Sequence, residues 1–182
     1  VLDIRQISEQ PVNLVDITDI YVIVSISRGR NRILGKFEAG TANVTIYDQN
    51  GDWNPSNPAG AYYGDLKPLR KIQIYADYDG TRYYMFSGFI TDYDTWFYIG
   101  TDDVSKVSLK CIDAFSLFNQ AQITSVTGAP AGQLTGARVE DLLDVIEWTS
   151  GLRDIQAGVT TLQADPGTAR TALEALRTVE DS

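Results

Sequence analysis

The sequence predicts a β-rich α+β chain. An antiparallel β-barrel or sandwich-like domain spans residues 1–120, a linker 121–136, and a small α/β domain 137–182. Three observations carry this prediction. Residues 1–112 are rich in Ile, Val, Tyr, Phe and Thr, the side chains that suit a pleated, half-buried surface. Residues 113–182 shift to Ala, Leu, Glu, Asp and Arg with helix-length periodicity. Between them, Thr124 to Gly136 is dominated by Gly, Ala, Pro and Thr, a linker or long loop. Hydrophobic residues are 43% of the chain and charged residues 21%, which is enough apolar side chain to build a core and excludes disorder over the whole length.

The strands follow in order. Asn13–Ile17 is short. Ile20–Ser27 is continuously apolar at first and then alternates. Thr41–Tyr47 alternates throughout: Ala42, Val44 and Ile46 point one way, Thr41, Asn43, Thr45 and Tyr47 the other. Lys71–Tyr78 repeats the pattern with Ile72, Ile74 and Ala76. Asp79-Gly80 is a two-residue turn signal, and Arg82–Phe89 returns, so Lys71–Phe89 reads as a hairpin. Ile90–Asp94 continues that strand beyond Gly88, where a bend or bulge is expected. Lys106–Ile112 closes the set. Several strands at short spacing with few helices suggest a sandwich or closed barrel.

Helices follow. Asp113–Asn119 is a short one. Arg138–Thr149 places Val139, Leu142, Leu143 and Ile146 on one stripe. A third helix starts at Thr168 as N-cap, after Pro166-Gly167, with Ala169, Ala172, Leu173, Leu176 and Val179 on one face. Thr160–Ala164 reads as a small strand. It is expected to pair with the first region or with sequence beyond Ser182, because a lone strand leaves its backbone groups unsatisfied. The last helix ends in Glu180-Asp181-Ser182 without a Gly cap, basic last turn or Pro stop, and the chain opens on Val1. Further sequence is expected beyond Ser182, and at Val1 either an initiator Met was removed or the chain is part of a longer product.

Composition also bounds the chemistry. With no His and one Cys, Cys111, a disulfide framework, structural zinc, Ser-His-Asp triads and Cys-His dyads are excluded. Asp92/Asp94 and Asp102/Asp103 are sequence neighbours, which does not supply the cleft geometry of a glycosidase pair. The expectation is a non-enzyme. No stretch approaches the roughly 18 apolar residues of a membrane span. No glycine spacing matches a phosphate-binding loop, and no cofactor is expected. Fifteen basic against 24 acidic residues give a net charge of -9. That serves solubility, or makes a wall that nucleic acid slides past, and it argues against stable nucleic-acid binding.

Several residues remain as candidates. Asp48, Asn50, Asp52 and Asn54 alternate as Ca²⁺-loop ligands do, but Gly51 falls early for that pattern and Ala59 stands where the bidentate Glu belongs. The run is either a metal loop or a polar turn. Arg28, Arg30 and Arg32 alternate after a strand, suited to phosphate contacts or to pairing with acids here or on a neighbouring subunit. The many aromatics divide among core, subunit interface and sugar-stacking roles. Gln49–Pro68 exceeds the length of an ordinary loop and reads as a subunit-contact segment anchored by Trp53, Tyr62 and Tyr63. The candidate interface set is therefore Arg28, Arg30, Arg32, Trp53, Tyr62 and Tyr63.

Read together, several segments form an ordered set. Ser25–Asp48 has a strand ending in Arg28-Gly29-Arg30 and a Phe37-Glu-Ala-Gly-Thr41 entry into a second strand. Asn54-Pro55, Tyr63-Gly-Asp-Leu-Lys-Pro68, Phe86-Ser-Gly-Phe-Ile-Thr-Asp92 and Leu109-Lys-Cys-Ile-Asp-Ala-Phe115 follow, then Thr161-Leu-Gln-Ala164 and Ala172–Ser182. In this order they resemble minor tail proteins of long-tailed phages, the tail-tip or baseplate hub family, over about residues 15–182. Asp48–Trp53 departs from the Arg-containing turn often found there. The resemblance implies a β-barrel-containing homo-oligomeric ring, a trimer or alternatively a hexamer, at the tail tip of the virion. It implies distal-tail, tape-measure and fibre or receptor-binding proteins as partners, and no catalytic, cofactor or metal residues. A distal-tail ring protein and a host-surface carbohydrate-binding module are the alternatives.

Overall fold

The computed structural model describes residues 16–17, 22–29, 38–96, 105–126 and 128–181. They fall into two units that meet in sequence at Ala114 and Phe115.

The first unit is one antiparallel sheet of β1 (Val22–Gly29), β2 (Glu38–Tyr47), β3 (Lys71–Tyr78), β4 (Thr81–Trp96) and β5 (Lys106–Ile112). Their spatial order is β1-β2-β5-β4-β3, and the sheet curls into a half-barrel. The chain is thus mostly antiparallel β with a few helices, the β-rich α+β class its sequence predicts. Alternation decides the buried face. Ala42, Val44 and Ile46 of β2 pair across the ladder with Cys111, Leu109 and Val107 of β5, and all six are buried. Phe86 and Ile90 of β4 join that cluster, with Ile26, Ile72, Ile74, Tyr93 and Trp53 packed against it. At roughly 1.5–3 kcal/mol for each fully buried large aliphatic or aromatic side chain, this cluster is the main stabilising feature of the unit. β2 begins three residues before the expected Thr41, because past a bulge Glu38 still pairs with Gly29 of β1. The expected strand Asn13–Ile17 lies largely outside the described residues, and Asp16 and Ile17 are not in a strand.

The register of β4 makes an arm. β3 pairs with β4 only over Thr81–Phe89, and β5 pairs with it only over Phe89–Trp96. The outer half of the hairpin therefore extends past the end of β5 as a two-stranded ribbon. Its tip is the predicted turn: Asp79 and Gly80 take φ values of 48° and 74°, the pair of positive torsions that joins right-twisted strands in a two-residue loop. Two irregularities shape β4, one between Ile74 and Tyr75 opposite Met85, the other at Thr91.

The second unit holds helices α1 (Ala114–Phe118), α2 (Thr135–Val145) and α3 (Ala172–Glu180). It also has two two-stranded ribbons: β6 (Gln122–Ile123) with β9 (Arg170–Thr171), and β7 (Gln133–Leu134) with β8 (Thr161–Leu162). Residues 121–136, read above as a linker, supply two of these strands. The small strand expected at Thr160–Ala164 is Thr161–Leu162, and it pairs with Gln133–Leu134 of the same unit rather than with the first region. α2 starts at Thr135 rather than Arg138, since Gly136 lets the Gln156 and Ala157 carbonyls pack against its first turn. It ends at Val145, ahead of the expected Thr149, with Glu147 at φ 54° just beyond. α3 starts at Ala172, with Thr171 in place of Thr168 as N-cap. The Glu174 amide donates to Thr171 Oγ1 at 3.1 Å, and the Thr171 amide donates to the Glu174 carboxylate at 2.8 Å. This reciprocal box satisfies two donors and outweighs the Pro-Gly signal upstream. Leu117, Phe118, Ile123, Val126, Leu142, Leu143, Trp148, Leu162 and Leu173 are buried. Phe118 and Trp148 meet edge to face at 5.0 Å.

Candidate assembly surfaces

Two features of the first unit present side chains outward. One is the segment between β2 and β3. It exceeds the usual loop length, yet it is built from consecutive turns. Asn54, Asn57, Gly60 and Tyr63 donate their amides to the carbonyls of Gly51, Asn54, Asn57 and Gly60, at 3.0–3.3 Å. The sequence Asn54-Pro55-Ser56-Asn57-Pro58-Ala59-Gly60 writes this staircase directly. Each Asn side chain accepts from the amide two residues on, Ser56 at 2.9 Å and Ala59 at 3.1 Å, and each Pro presets the backbone of the next corner. This repeated Asn-Pro signal was legible and is absent from the length-based reading of the loop.

Asp48 starts the staircase. It is buried, and its two carboxylate oxygens accept the amides of Asp52 and Trp53 at 2.9 and 3.0 Å. Asp52 Oδ1 in turn accepts the Ala61 amide at 3.0 Å. Asp48, Asp52 and Asn54, weighed above as cation ligands, therefore organise backbone turns. Trp53 is half-buried against the sheet core and tilts onto Tyr62 with ring centroids 4.6 Å apart. Tyr63 is 53% exposed. Of the three expected anchors, Trp53 is a packing residue and Tyr63 faces outward.

Between this loop and β4 lies an open cleft of about 310 Å³, lined in part by Asn54, Pro55, Leu66, Pro68, Asp92 and Tyr93. Asn54, Asp92 and Tyr93 of its lining already hold protein partners through their side chains. Tyr93 donates its hydroxyl to the Lys67 carbonyl at 3.2 Å, and burial pushes its pKa up to about 12. Lys110 binds Asp94 at 2.5 Å and Asp92 at 3.4 Å. The hydrogen bond from Lys110 lowers the Asp94 carboxyl, and Asp94, then Asp92, raise the Lys110 ammonium.

The second outward feature is the arm. Tyr78, Tyr83 and Tyr84 are 75%, 51% and 57% exposed, and Met85 lies beside them. Arg82 grips Asp77 through two parallel bonds of 3.0 and 3.1 Å, and its guanidinium carbon sits 3.8 Å over the Tyr75 ring. Tyr75 and Tyr84, directly opposite each other, meet edge-on at 6.3 Å. An isolated two-stranded ribbon is marginal in water, and these cross-strand pairs hold it in shape.

Arg28 is exposed at the bulged end of β1, near the Glu38 end of β2. The Trp53 loop leaves the other end of β2, after Tyr47. Ten strand residues, about 30 Å at roughly 3.3 Å each, separate the two ends. The structure therefore does not bring Arg28 and the loop aromatics onto one patch. Arg30 and Arg32 lie outside the described residues.

No family model matches the chain, and no curated protein matches it. Among solved structures, the chain is similar to a 43 kDa tail protein of prophage MuSo2 from Shewanella oneidensis, with a TM-score of 0.41 and 13% identity. The similarity covers 87% of this chain and 47% of that one, so the chain spans about half the length of that protein.

Proposed function

We propose that the chain is a structural component of a phage tail, acting at the tail tip as a baseplate hub. In this reading identical copies form a ring, three-fold in the first instance, that closes the tail tube, supports host attachment and opens for DNA. Distal-tail, tape-measure and fibre or receptor-binding proteins are its neighbours. The ordered motif resemblance supports the family. The observation that carries an assembly role is the arm: a ribbon of exposed tyrosines extending past the central strand of its sheet. Large aromatic side chains anchor protein interfaces, because they bury much area at little entropic cost. The acidic balance suits a wall that DNA passes without adhering.

The experiment is cryo-electron microscopy of isolated tails, with light scattering of the purified chain. A three-fold ring with Tyr78, Tyr83 and Tyr84 at the subunit contact is the expected result, and Tyr→Ser at all three positions abolishes the ring. A six-fold ring moves the protein to the distal tail. A monomer that binds on a glycan array makes it the carbohydrate-binding module.

A further inference from the structure

We propose that Asn50 is a site of spontaneous backbone rearrangement, a deamidation clock built into the turn staircase. The loop carries three asparagines, and their successors differ in the one respect that matters. Asn54 and Asn57 each precede a proline, whose nitrogen bears no hydrogen and cannot act as the nucleophile. Asn50 precedes Gly51. Glycine has no Cβ to crowd the approach of its nitrogen to the preceding side chain. Asn50 is exposed in a bend. Among the described residues neither the Asn50 side chain nor the Gly51 amide has a hydrogen-bond partner, so nothing withholds either reactant. By contrast, Asn43 lies within β2 and accepts the Ser108 hydroxyl at 2.8 Å.

The Gly51 amide nitrogen attacks Asn50 Cγ. The N–Cγ bond forms, the Cγ–Nδ2 bond breaks, and ammonia departs with the proton lost from the Gly51 nitrogen. Water then opens the cyclic imide. Opening at the side-chain carbonyl gives aspartate, and opening at the original main-chain carbonyl gives isoaspartate. No oxidant or cofactor enters the balance.

Position gives the reaction a consequence. The Gly51 carbonyl accepts both the Asn54 amide at 3.3 Å and Asn57 Nδ2 at 2.9 Å. Isoaspartate at 50 inserts a methylene into the main chain one residue before that carbonyl, and either product adds a negative charge between Asp48 and Asp52. The first step of the staircase loosens, and the Trp53–Tyr62 stack with it. This inference does not rest on the tail reading.

The test uses the full chain, aged in mildly alkaline buffer at physiological temperature and mapped by peptide mass spectrometry with enzymatic isoaspartate labelling. Asn50 is expected to convert at least about tenfold faster than the exposed Asn119, a rate ratio equivalent to about 1.4 kcal/mol of barrier. Asn54 and Asn57 should remain amides in the same sample. Asn50→Gln should abolish the labelling while retaining the circular dichroism spectrum. Aged protein should be cut by chymotrypsin after Tyr62 and Tyr63 faster than fresh protein, and N50Q should not change with age. Conversion at Asn50 no faster than at Asn119 overturns the site, and unchanged cleavage of fully converted protein overturns its effect on the loop.

Discussion

Gly88→Ala tests how the arm joins the sheet. Gly88 is buried in β4, opposite Ile72, one residue before the point where β4 exchanges β3 for β5 as its partner. A methyl group there would meet Phe86 Cε1 and Cζ at 2.8 and 2.9 Å, and the Ile112 carbonyl oxygen closer still. The ring could turn only by leaving the core cluster it fills. The carbonyl is backbone at the end of β5 and moves only with that strand. The substitution is therefore overpacking against a rigid wall, which places it near the upper end of the usual range, about 3 kcal/mol. Because the chain has two units, the assay is native-state hydrogen exchange read at the β5 amides of Leu109 and Cys111, which report the first unit alone. With a denaturant slope of about 1–3 kcal/mol per molar urea, the same loss lowers the sheet's urea midpoint by at least about 1 M. Exchange at those amides within about 0.5 kcal/mol of wild type would show that the strands relax around the methyl group, and would refute a rigid junction.

Three further outcomes are expected. Arg138 is buried and donates to the Gln133 side chain at 2.6 Å and to the Pro130 and Gln163 carbonyls at 3.2 and 2.9 Å; Arg138→Met should cost about 3 kcal/mol in the second unit by leaving these acceptors unpaired, read as lost exchange protection at β7 and β8. Asp165, against burial that would raise its carboxyl, is held below the usual range by the Gly167 amide and by Arg170. Its contribution is complete above the unfolded value near 4 and is lost as pH falls through the lower folded value, so an acid titration of the second unit should flatten in Asp165→Asn. Finally, the chain should show no sub-micromolar binding to duplex DNA by fluorescence anisotropy at about 150 mM salt, since its charge of -9 offers no net phosphate neutralisation.

Local chemistry alone determined much of this protein. β3 and β5 run over the predicted residues, and the β3–β4 turn sits at Asp79-Gly80, because two-residue alternation and a turn needing positive torsions are written in adjacent side chains. The staircase from Gly51 to Tyr63 and the Thr171–Glu174 box are equally local, and reading Asn-Pro repeats and Thr-x-x-Glu would have found both. Other features needed the tertiary structure. That Arg138 is buried, that Thr161–Leu162 pairs with Gln133–Leu134, and that α2 begins three residues early all depend on groups far away in sequence. The inward packing of Trp53 and the outward reach of the arm are of the same kind. Trp53 turns in because the buried Asp48 fixes its amide beside the core. The arm projects because β5 pairs only the second half of β4. Composition marks which residues favour a strand, but the offset between two strands is set by which side chains fill a shared core, and that requires the whole sheet.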